Sequence, residues 1–284
     1  MATAILLAHG PVRPRLAAEL TDFVYQRGGK IVYHEQHVDH ESSLYFTRLE
    51  WDLAEFRVPL DDLDRVFGEA VGREAGLRWR IHLTGRPQRI AVFVSRLPHC
   101  LYDIAARCQS GEWPAEIALV VGNHPDLEPV ARTFGIDFLH TPVSGAEKGA
   151  AEQRQLAALR ERGVELVVLA RYMQVLSAGF IAEYPDAIIN IHHAFLPAFP
   201  GAKPYHAARK RGVKIVGATS HYVTADLDEG PIIDQDVISV GHQHTTEDLV
   251  RMGRDLERIV LARAVWMHLQ RKVIVHEGRT VIFG

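Results

Sequence analysis

Short runs of mainly apolar residues that alternate with helical patterns constrain the fold of this chain more than any other sequence feature. They lie in the later part of the chain, at Ile90–Val94, Ile117–Val121, Leu166–Leu169 and Ile188–Ile191. Strands that are apolar along their length are buried on both faces, as in a parallel sheet covered by helices. Because crossover connections between parallel strands are right-handed, the pattern predicts an α/β domain with a mostly parallel, Rossmann-like sheet.

Residues 1–84 follow a different order, which is strand, helix, strand, strand, helix, strand. The six segments are Ala4–Ala8, Leu16–Tyr25, Ile31–Val38, Ser43–Trp51, Leu60–Val71 and Leu77–Leu83. This order predicts a small ferredoxin-like α+β domain of the split-βαβ type. Residues 84–89 contain glycine, proline and charges without apolar periodicity, so we interpret them as a linker. The sequence thus predicts two domains, 1–84 and 90–284.

The end of the chain combines a long helical pattern, Glu247–Leu269, with a short hairpin. Thr245 and Asp248 have the spacing of a capping box, in which a hydroxyl and a carboxylate satisfy the first backbone N–H groups of a helix. Two β-rich segments on either side of Glu277 predict the hairpin.

The charge balance and the cysteine count exclude several classes of protein. Lys and Arg number 32 against 35 Asp and Glu, a formal net charge of −3, so we expect no nucleic-acid partner. The two cysteines, Cys100 and Cys108, are too few for a disulfide framework and indicate a reducing compartment. The most apolar windows fall far short of the roughly 18 residues of a membrane span. We therefore expect a soluble, cytoplasmic protein without a membrane partner.

Polar residues that directly follow apolar strands are the first candidates for chemistry, because ligands of such sheets bind beyond the strand ends. Asn190 and His192 are two residues apart on one predicted strand, so their side chains lie on the same side. An amide N–H can hold a carbonyl oxygen that becomes an oxyanion, and an imidazole can carry a proton. The alternative is a capping asparagine and a packed core histidine.

Two further segments carry candidate groups. Thr224–Ile233 is an acidic turn before a strand, and one of its carboxylates can orient the His192 imidazole, raise its pKa and hold a water. The alternative is an ordinary surface turn, which uses the same residue types. Leu169–Leu176 runs from a strand into a loop that can offer backbone hydrogen bonds and apolar walls to a flat heterocycle. Its alternative is a plain strand end before a helix.

Together these segments resemble the formyltransferase fold of enzymes that use 10-formyltetrahydrofolate, and most closely the formyltetrahydrofolate deformylase family. The motifs that carry the resemblance are Asn190-Ile191-His192, Leu196-Pro197, the turn Leu227–Pro231, the segment Met173–Leu176 and the string His192–Ala207. The resemblance covers essentially the whole chain and implies hydrolysis of 10-formyltetrahydrofolate to formate and tetrahydrofolate, a reaction of one-carbon metabolism. It also implies an ACT domain before the catalytic domain, a homo-oligomer that is either a dimer or a tetramer, and no cofactor besides the folate substrate. Whether the reaction serves purine biosynthesis stays open.

The resemblance also assigns roles to residues. It implies that His192 is the catalytic imidazole, that Asn190 binds the oxyanion, and that Asp228 tunes His192 and positions water. The residues that would line the pterin pocket are Met173, Gln174, Val175 and Leu176. Those that would shape the water or folate pocket are His193, Tyr205, His206 and His221. For Tyr205 and His206, packing at a helix start is an equal alternative.

Two other functions stay open at this point. A formyltransferase that acts on a small amine such as glycinamide ribonucleotide would need a glycine-rich loop to bind the phosphate of that acceptor. The corresponding segment, Val94–Leu101, has no glycine and contains Pro98, which disfavours the transferase, although Arg96 alone can still hold a phosphate. The second alternative is a non-catalytic folate or amino-acid sensor, and the complete catalytic set named above argues against it.

Two features of the N-terminal part argue against ligand binding there. The turn after the first strand has Arg15 where amino-acid-binding ACT domains usually have glycine, which argues against effector binding. His34, His37 and His40 have an HxxHxxH spacing, but in a strand the first two side chains point to opposite faces. We therefore expect no metal site.

Overall fold

The structure is a computed structural model, and it describes residues 2–143, 147–197 and 204–284, Pro204 by its backbone alone. Residues 198–203 of the His192–Ala207 motif therefore lie outside the described residues. The chain divides into two compact units. Unit 1 comprises Met1–Arg86, Arg271–Ile274 and Val281–Gly284, and unit 2 comprises Pro87–Gln270 and Val275–Thr280.

Unit 1 is built on a four-stranded antiparallel sheet with the strand order β2-β3-β1-β4. Its elements are β1 (Thr3–Pro11), α1 (Leu16–Gln26), β2 (Lys30–Asp39), β3 (Leu44–Asp52), a 3₁₀ turn (Leu60–Asp62), α2 (Leu63–Phe67), a π-helical turn (Gly68–Gly72) and β4 (Arg78–Leu83). The helices cover one face of the sheet and enclose a core around Leu20, Leu49, Trp51 and Phe67.

The single helix that the sequence predicts over Leu60–Val71 is divided into three short pieces. The cause is close packing on Trp79, because a Cβ at Gly68 or Gly72 would lie 2.9 or 2.8 Å from atoms of its ring. Glycine has a low helix propensity, and two glycines within one turn permit the wider π conformation. Packing therefore overrides the helical pattern here.

Unit 2 is built on a seven-stranded sheet with the order β11-β10-β9-β8-β5-β6-β7. Its elements are β5 (Gln88–Val94), α3 (His99–Gln109), β6 (Ala115–Gly122), a 3₁₀ turn (Pro125–Leu127), α4 (Glu128–Thr133), β7 (Phe138–His140), α5 (Lys148–Glu161), β8 (Leu166–Ala170), α6 (Ala178–Ala182), β9 (Ile188–His192), α7 (Pro204–Arg211), β10 (Ile215–Tyr222), β11 (Ile232–Ser239) and α8 (Thr246–Leu269). Strands β5 to β9 pair in parallel, whereas β10 pairs antiparallel with both β9 and β11. The prediction of a mostly parallel α/β sheet is confirmed.

The strand order of unit 2 reverses between β5 and β8. From β5 the chain continues to β6 and β7 on one side and then places β8 and β9 on the other. Val94 at the end of β5 pairs with Ala170 at the end of β8, so the loops that follow these strands leave the sheet side by side. In open parallel sheets such a reversal leaves a crevice beyond the strand ends, where ligands bind.

Helix α8 packs against β9, β10 and β11. Thr245 Oγ1 accepts a hydrogen bond from Asp248 N at 3.1 Å, and Asp248 Oδ2 accepts one from Thr245 N at 2.9 Å, so the predicted capping box is present. The predicted hairpin follows as β12 (Val273–His276) and β13 (Arg279–Ile282). Within the described ranges, no helix combines the length and the apolar character that a membrane span requires.

Candidate active site

A cavity of about 350 Å³ lies in unit 2 beside the end of β9. It is formed by the loop after β8, the end of β9 and the turn after β10. The residues that line it are 169, 171–176, 181, 190–193, 221 and 223–228. The three segments that the sequence singles out therefore meet in one place.

Asn190, His192 and Asp228 all line this cavity. His192 Nδ1 lies 3.3 Å from Asp228 Oδ1. Because a carboxylate can only accept, Nδ1 of His192 is the donor, and Nε2 carries a lone pair while the ring is neutral. Nε2 is covered from solvent and makes no hydrogen bond to the residues that the structure describes. The ring thus has one nitrogen fixed by Asp228 and the other available to accept a proton.

The turn after β10 holds Asp228 through its backbone. Asp228 has φ 58°, a left-handed conformation that aspartate tolerates better than most residues. Gly230 follows, and a Cβ there would lie 1.7 Å from the carbonyl oxygen of Tyr222. Tyr222 N also donates to Pro231 O at 2.9 Å. The turn can fold back onto the end of β10 only because residue 230 is glycine.

His221 fixes the amide of Asn190. His221 Nδ1 lies 2.8 Å from Tyr222 O, which as a carbonyl can only accept, so Nδ1 donates. In the neutral ring Nε2 then accepts, and Asn190 Nδ2 lies 3.2 Å from it as the donor. Burial lowers the pKa of His221, which favours this neutral form. The Asn190 amide is thereby oriented, with its second N–H left for another acceptor.

Burial and Asp228 act in opposite directions on the pKa of His192. Burial lowers its pKa below the ordinary value of 6.5, whereas Asp228 acts to raise it and Arg171 acts to lower it further. Asp228 acts to raise the pKa of His192, as the sequence predicts, but loss of hydration of the ring outweighs this charge, so the net pKa lies below the ordinary value. The lowered pKa favours the neutral ring, which is the form that can accept a proton.

The loop after β8 is anchored at both ends. Met173 N donates to Ser95 Oγ at 3.0 Å, and Ser95 Oγ donates in turn to Asn123 Oδ1 at 2.6 Å. Ser177 N donates to Glu152 Oε1 at 2.9 Å, and Ser177 also caps α6. The loop is thus tied to the ends of β5 and β6 and to α5, so its backbone is held as a fixed cavity wall.

The four residues expected around the pocket have different surroundings. His193 and His221 line the cavity. Tyr205 lies on α7, 7% exposed, and packs so closely on α8 that a Cβ at Gly253 would meet its hydroxyl at 2.1 Å. His206 is exposed on the same helix. The surroundings of Tyr205 fit the alternative of packing at a helix start.

A buried charged cluster adjoins the cavity, and sequence reasoning misses Arg171, Glu257 and His99 within it. Glu257 Oε2 lies 3.0 Å from His99 Nε2 and 3.5 Å from Arg171 Nε, while Glu257 Oε1 accepts from the Tyr205 hydroxyl at 2.9 Å. Burial acts to raise the pKa of Glu257, but the His99 hydrogen bond and the Arg171 charge outweigh it and hold the pKa below 4.5. A clue in the sequence is that Glu257 shares a helical stripe with Val260.

The described residues contain no group of three or more His, Cys, Asp or Glu side chains that is placed to hold a metal ion. His34 and His37 lie on β2, as the sequence predicts. The ring of His34 contacts Thr47 Oγ1 at 3.2 Å, and the ring of His37 lies 6.3 Å from that of Phe46. These two histidines therefore have packing and hydrogen-bonding partners within unit 1.

Comparison with known proteins shows the family to which this chain belongs. A family profile described as formyl transferase matches residues 88–265. A formyltetrahydrofolate deformylase of Synechocystis sp. is 48% identical over 282 residues, which are 99% of each chain. The crystal structure of a formyltetrahydrofolate deformylase from Pseudomonas syringae pv. tomato matches with a TM-score of 0.96 at 40% identity and covers 100% of this chain and 95% of its own. Glycinamide ribonucleotide transformylase 1 from Symbiobacterium toebii matches with a TM-score of 0.66 at 33% identity, over 72% of this chain and 97% of its own.

The mostly parallel sheet, the cavity beside β9 and the matching profile define a domain of the formyl transferase class. The two deformylases match over nearly the full length of this chain, unit 1 included. The chain belongs to the formyltetrahydrofolate deformylase family.

Proposed function

We propose that the chain hydrolyses 10-formyltetrahydrofolate to formate and tetrahydrofolate. The observation that carries the proposal is the 3.3 Å contact between His192 and Asp228, beside Asn190 in one cavity. An amide donor, a neutral imidazole and a carboxylate are the groups that hydrolysis of a formyl amide needs. The relatives named formyltetrahydrofolate deformylase support this substrate.

In the proposed mechanism, a water positioned by Asp228 attacks the formyl carbon, and a C–O bond forms. The Asn190 N–H that His221 leaves unused donates to the developing oxyanion. A proton from the water passes through His192 to N10 while the C–N10 bond breaks. Formic acid loses its remaining proton to solvent, and tetrahydrofolate leaves with an N10–H bond.

We place the pterin ring of the substrate against the loop that carries Met173, Gln174, Val175 and Leu176. Met173 and Val175 are 52% and 55% exposed, although their side chains are apolar, and Leu176 is buried. Apolar walls next to backbone hydrogen-bonding groups suit a flat heterocycle. The anchoring of this loop supports a pocket that is formed before the substrate arrives.

The test is formate release from 10-formyltetrahydrofolate with no amine acceptor present. The wild-type chain should release formate, and Asn190→Ala should lose about 100- to 1,000-fold in turnover while folate binding is retained. Near-normal release by both Asn190→Ala and His192→Ala would contradict the assigned roles. Turnover that depends on added glycinamide ribonucleotide would favour the transferase, and binding without any turnover would favour the sensor.

We further propose that residues 1–84 form an ACT-like regulatory or oligomerisation domain and that residues 90–284 form the catalytic domain. The support is the antiparallel order β2-β3-β1-β4 with helices between the strands. Arg15 has φ 68°, a conformation that glycine adopts without strain, which is consistent with a turn that usually carries glycine. Calorimetric titration with glycine and methionine tests effector binding, and sedimentation equilibrium tests the proposed dimer or tetramer.

A further inference from the structure

The crevice at the strand reversal between β5 and β8 is occupied by side chains of the protein itself. Arg171 follows β8 directly, and His99 begins α3 shortly after β5. Glu257 reaches the same place from α8, and Tyr205 reaches it from α7. Sheets of this kind bind ligands in this crevice. Here a buried charged cluster lies at this place.

The side chains of the cluster are largely buried, and they contact one another through hydrogen bonds and an ion pair. The side chains of Arg171 and His99 are 11% and 16% exposed, and that of Glu257 is 1% exposed. The Glu257 carboxylate contacts all three partners: His99 at 3.0 Å, Tyr205 at 2.9 Å and Arg171 at 3.5 Å. Separating a buried ion pair leaves an uncompensated charge, so Glu257 holds the Arg171 guanidinium in place.

Arg171 belongs both to this cluster and to the cavity lining. Its backbone has φ 63°, a left-handed conformation that strains a residue other than glycine and that is often found at functional sites. Its Nη1 is covered from solvent and makes no hydrogen bond within the described part of the chain. Arg171 therefore forms the wall between the cavity and the crevice, with an N–H group that suits a small oxygen ligand.

The fold alone does not decide which nucleophile accepts the formyl group, since a structure named glycinamide ribonucleotide transformylase 1 shares it. With water, a C–O bond forms, the C–N10 bond breaks, and formate results. With an amine, a C–N bond forms, the C–N10 bond breaks, the amine proton passes to N10, and an N-formyl amine results. The choice between these outcomes depends on the side chains beside the formyl carbon.

We propose that Arg171, anchored by Glu257, closes the crevice to amine acceptors and thereby restricts the nucleophile to water. The inference rests on the proposed function, in which the folate takes the side of the cavity formed by residues 173–176. An acceptor would bring its nitrogen beside His192 and place its remaining atoms in the crevice. Displacing the paired guanidinium would cost about 100-fold or more in acceptor affinity, whereas a water needs no such space. Arg171 is thus a specificity-determining residue, and Glu257 is its positioning residue.

The experiment measures how the formyl group divides between water and an added amine, with glycinamide as the probe acceptor. The purified chain is incubated with 10-formyltetrahydrofolate and glycinamide, and N-formylglycinamide and formate are quantified by mass spectrometry and enzymatic assay. Arg171→Gly, which also relieves the positive φ, should raise the ratio of N-formylglycinamide to formate by about tenfold or more over wild type. Glu257→Gln should raise this ratio less, because the glutamine amide is uncharged but can still hydrogen-bond to the neighbours of residue 257. Arg258→Ala removes a neighbouring surface charge on α8 and should leave the ratio unchanged.

A folded Arg171→Gly protein with the wild-type ratio would overturn the proposal. Loss of formate release without any N-formylglycinamide would also overturn it, since Arg171 would then act in catalysis and not in selection. If the single variants fail to fold, the double variant Arg171→Met/Glu257→Gln removes both charges of the pair. It should show the same rise in the ratio of N-formylglycinamide to formate. A folded double variant with the wild-type ratio would overturn the proposal. A wild-type chain that releases no formate would instead contradict the proposed function.

Discussion

His192 is the residue whose surroundings decide the chemistry of the cavity. Burial lowers its pKa and Asp228 partly opposes that effect. Because the neutral ring is the form that accepts a proton, kcat/KM should rise with pH and level off after an inflection below 6.5. Asp228→Asn removes the charge that raises the pKa, so the inflection should move to lower pH and the plateau should fall about 100-fold. A pH–rate profile of both proteins measures the two effects.

Asparagine is the appropriate replacement at position 228 because, like aspartate, it tolerates the left-handed conformation found there. The matched control is Asp226→Asn, an exposed carboxylate on the same turn, which should keep the wild-type inflection. If the inflection of Asp228→Asn coincided with that of wild type, the contact between Asp228 and His192 would have no influence on the protonation of the ring.

At the residue scale, the sequence predicts which side chains share a face but not which charges become buried. Asn190 and His192 line the same cavity because side chains two apart on a strand point the same way. The net pKa shift of His192 depends on burial, which only the packed structure reveals. Glu257 and Arg171 meet because α8 packs against β9, the neighbour of β8 in the sheet, and neither residue lies near the other in sequence.

Among the elements that build the site, the turn after β10 depends on a glycine. A Cβ at residue 230 would lie 1.7 Å from the Tyr222 carbonyl oxygen, so Gly230→Ala must shift the turn that carries Asp228. We expect a loss of about 1–3 kcal/mol in the free energy of unfolding and a fall in kcat. Urea unfolding measures the change in the free energy of unfolding, and formate release measures kcat. Gly149→Ala on α5 is the control, since a Cβ there meets no heavy atom within 4 Å, and wild-type stability of Gly230→Ala would refute the close approach.

Helix α8 carries Glu257, and its start is set by the capping box. Thr245→Ala removes the hydroxyl that accepts from Asp248 N, so unit 2 should lose about 1 kcal/mol of unfolding free energy. Turnover well below the unfolding transition should stay at the wild-type level, because the cap lies three turns from Glu257. Urea unfolding measures the loss, with Thr246→Ala as the control one residue further into the helix. An equal loss in both variants would argue against a specific cap.

At the element scale, local signals predict the ends of α8 well and those of α2 poorly. The cap of α8 is a contact between neighbours in sequence, so the pattern Thr245 to Asp248 is sufficient to locate it. The helical pattern over Leu60–Val71 is broken by the packing of two glycines on Trp79, a contact made by a strand that follows them. Hydrophobic periodicity therefore does not predict helix boundaries that are set by tertiary contacts.

For the whole molecule, the change in hydrophobic pattern near residue 84 predicts two sheets of different construction. The sheet of unit 2 is mostly parallel, as predicted, and the sheet of unit 1 is antiparallel. The sequence does not reveal that β10 runs antiparallel to both of its neighbours, β9 and β11, because an apolar strand looks the same in either direction. Nor does it reveal that Arg271–Ile274 and Val281–Gly284 cluster with unit 1, since that depends on contacts distant in sequence.

The C-terminal residues of unit 1 supply part of a core, which gives a test of the division into units. Phe283, 1% exposed, packs with Ile274, Leu7 and Phe46. Phe283→Ala should therefore destabilise unit 1 by about 3–5 kcal/mol. In hydrogen exchange followed by mass spectrometry, the amides of β3 should lose protection while those of β5 keep it, because β5 belongs to unit 2. Ile282→Ala, 38% exposed on the same hairpin, should change neither strand. Equal loss of protection in β3 and β5 would mean that the two units unfold as one, since a cavity in one independent core leaves the other intact.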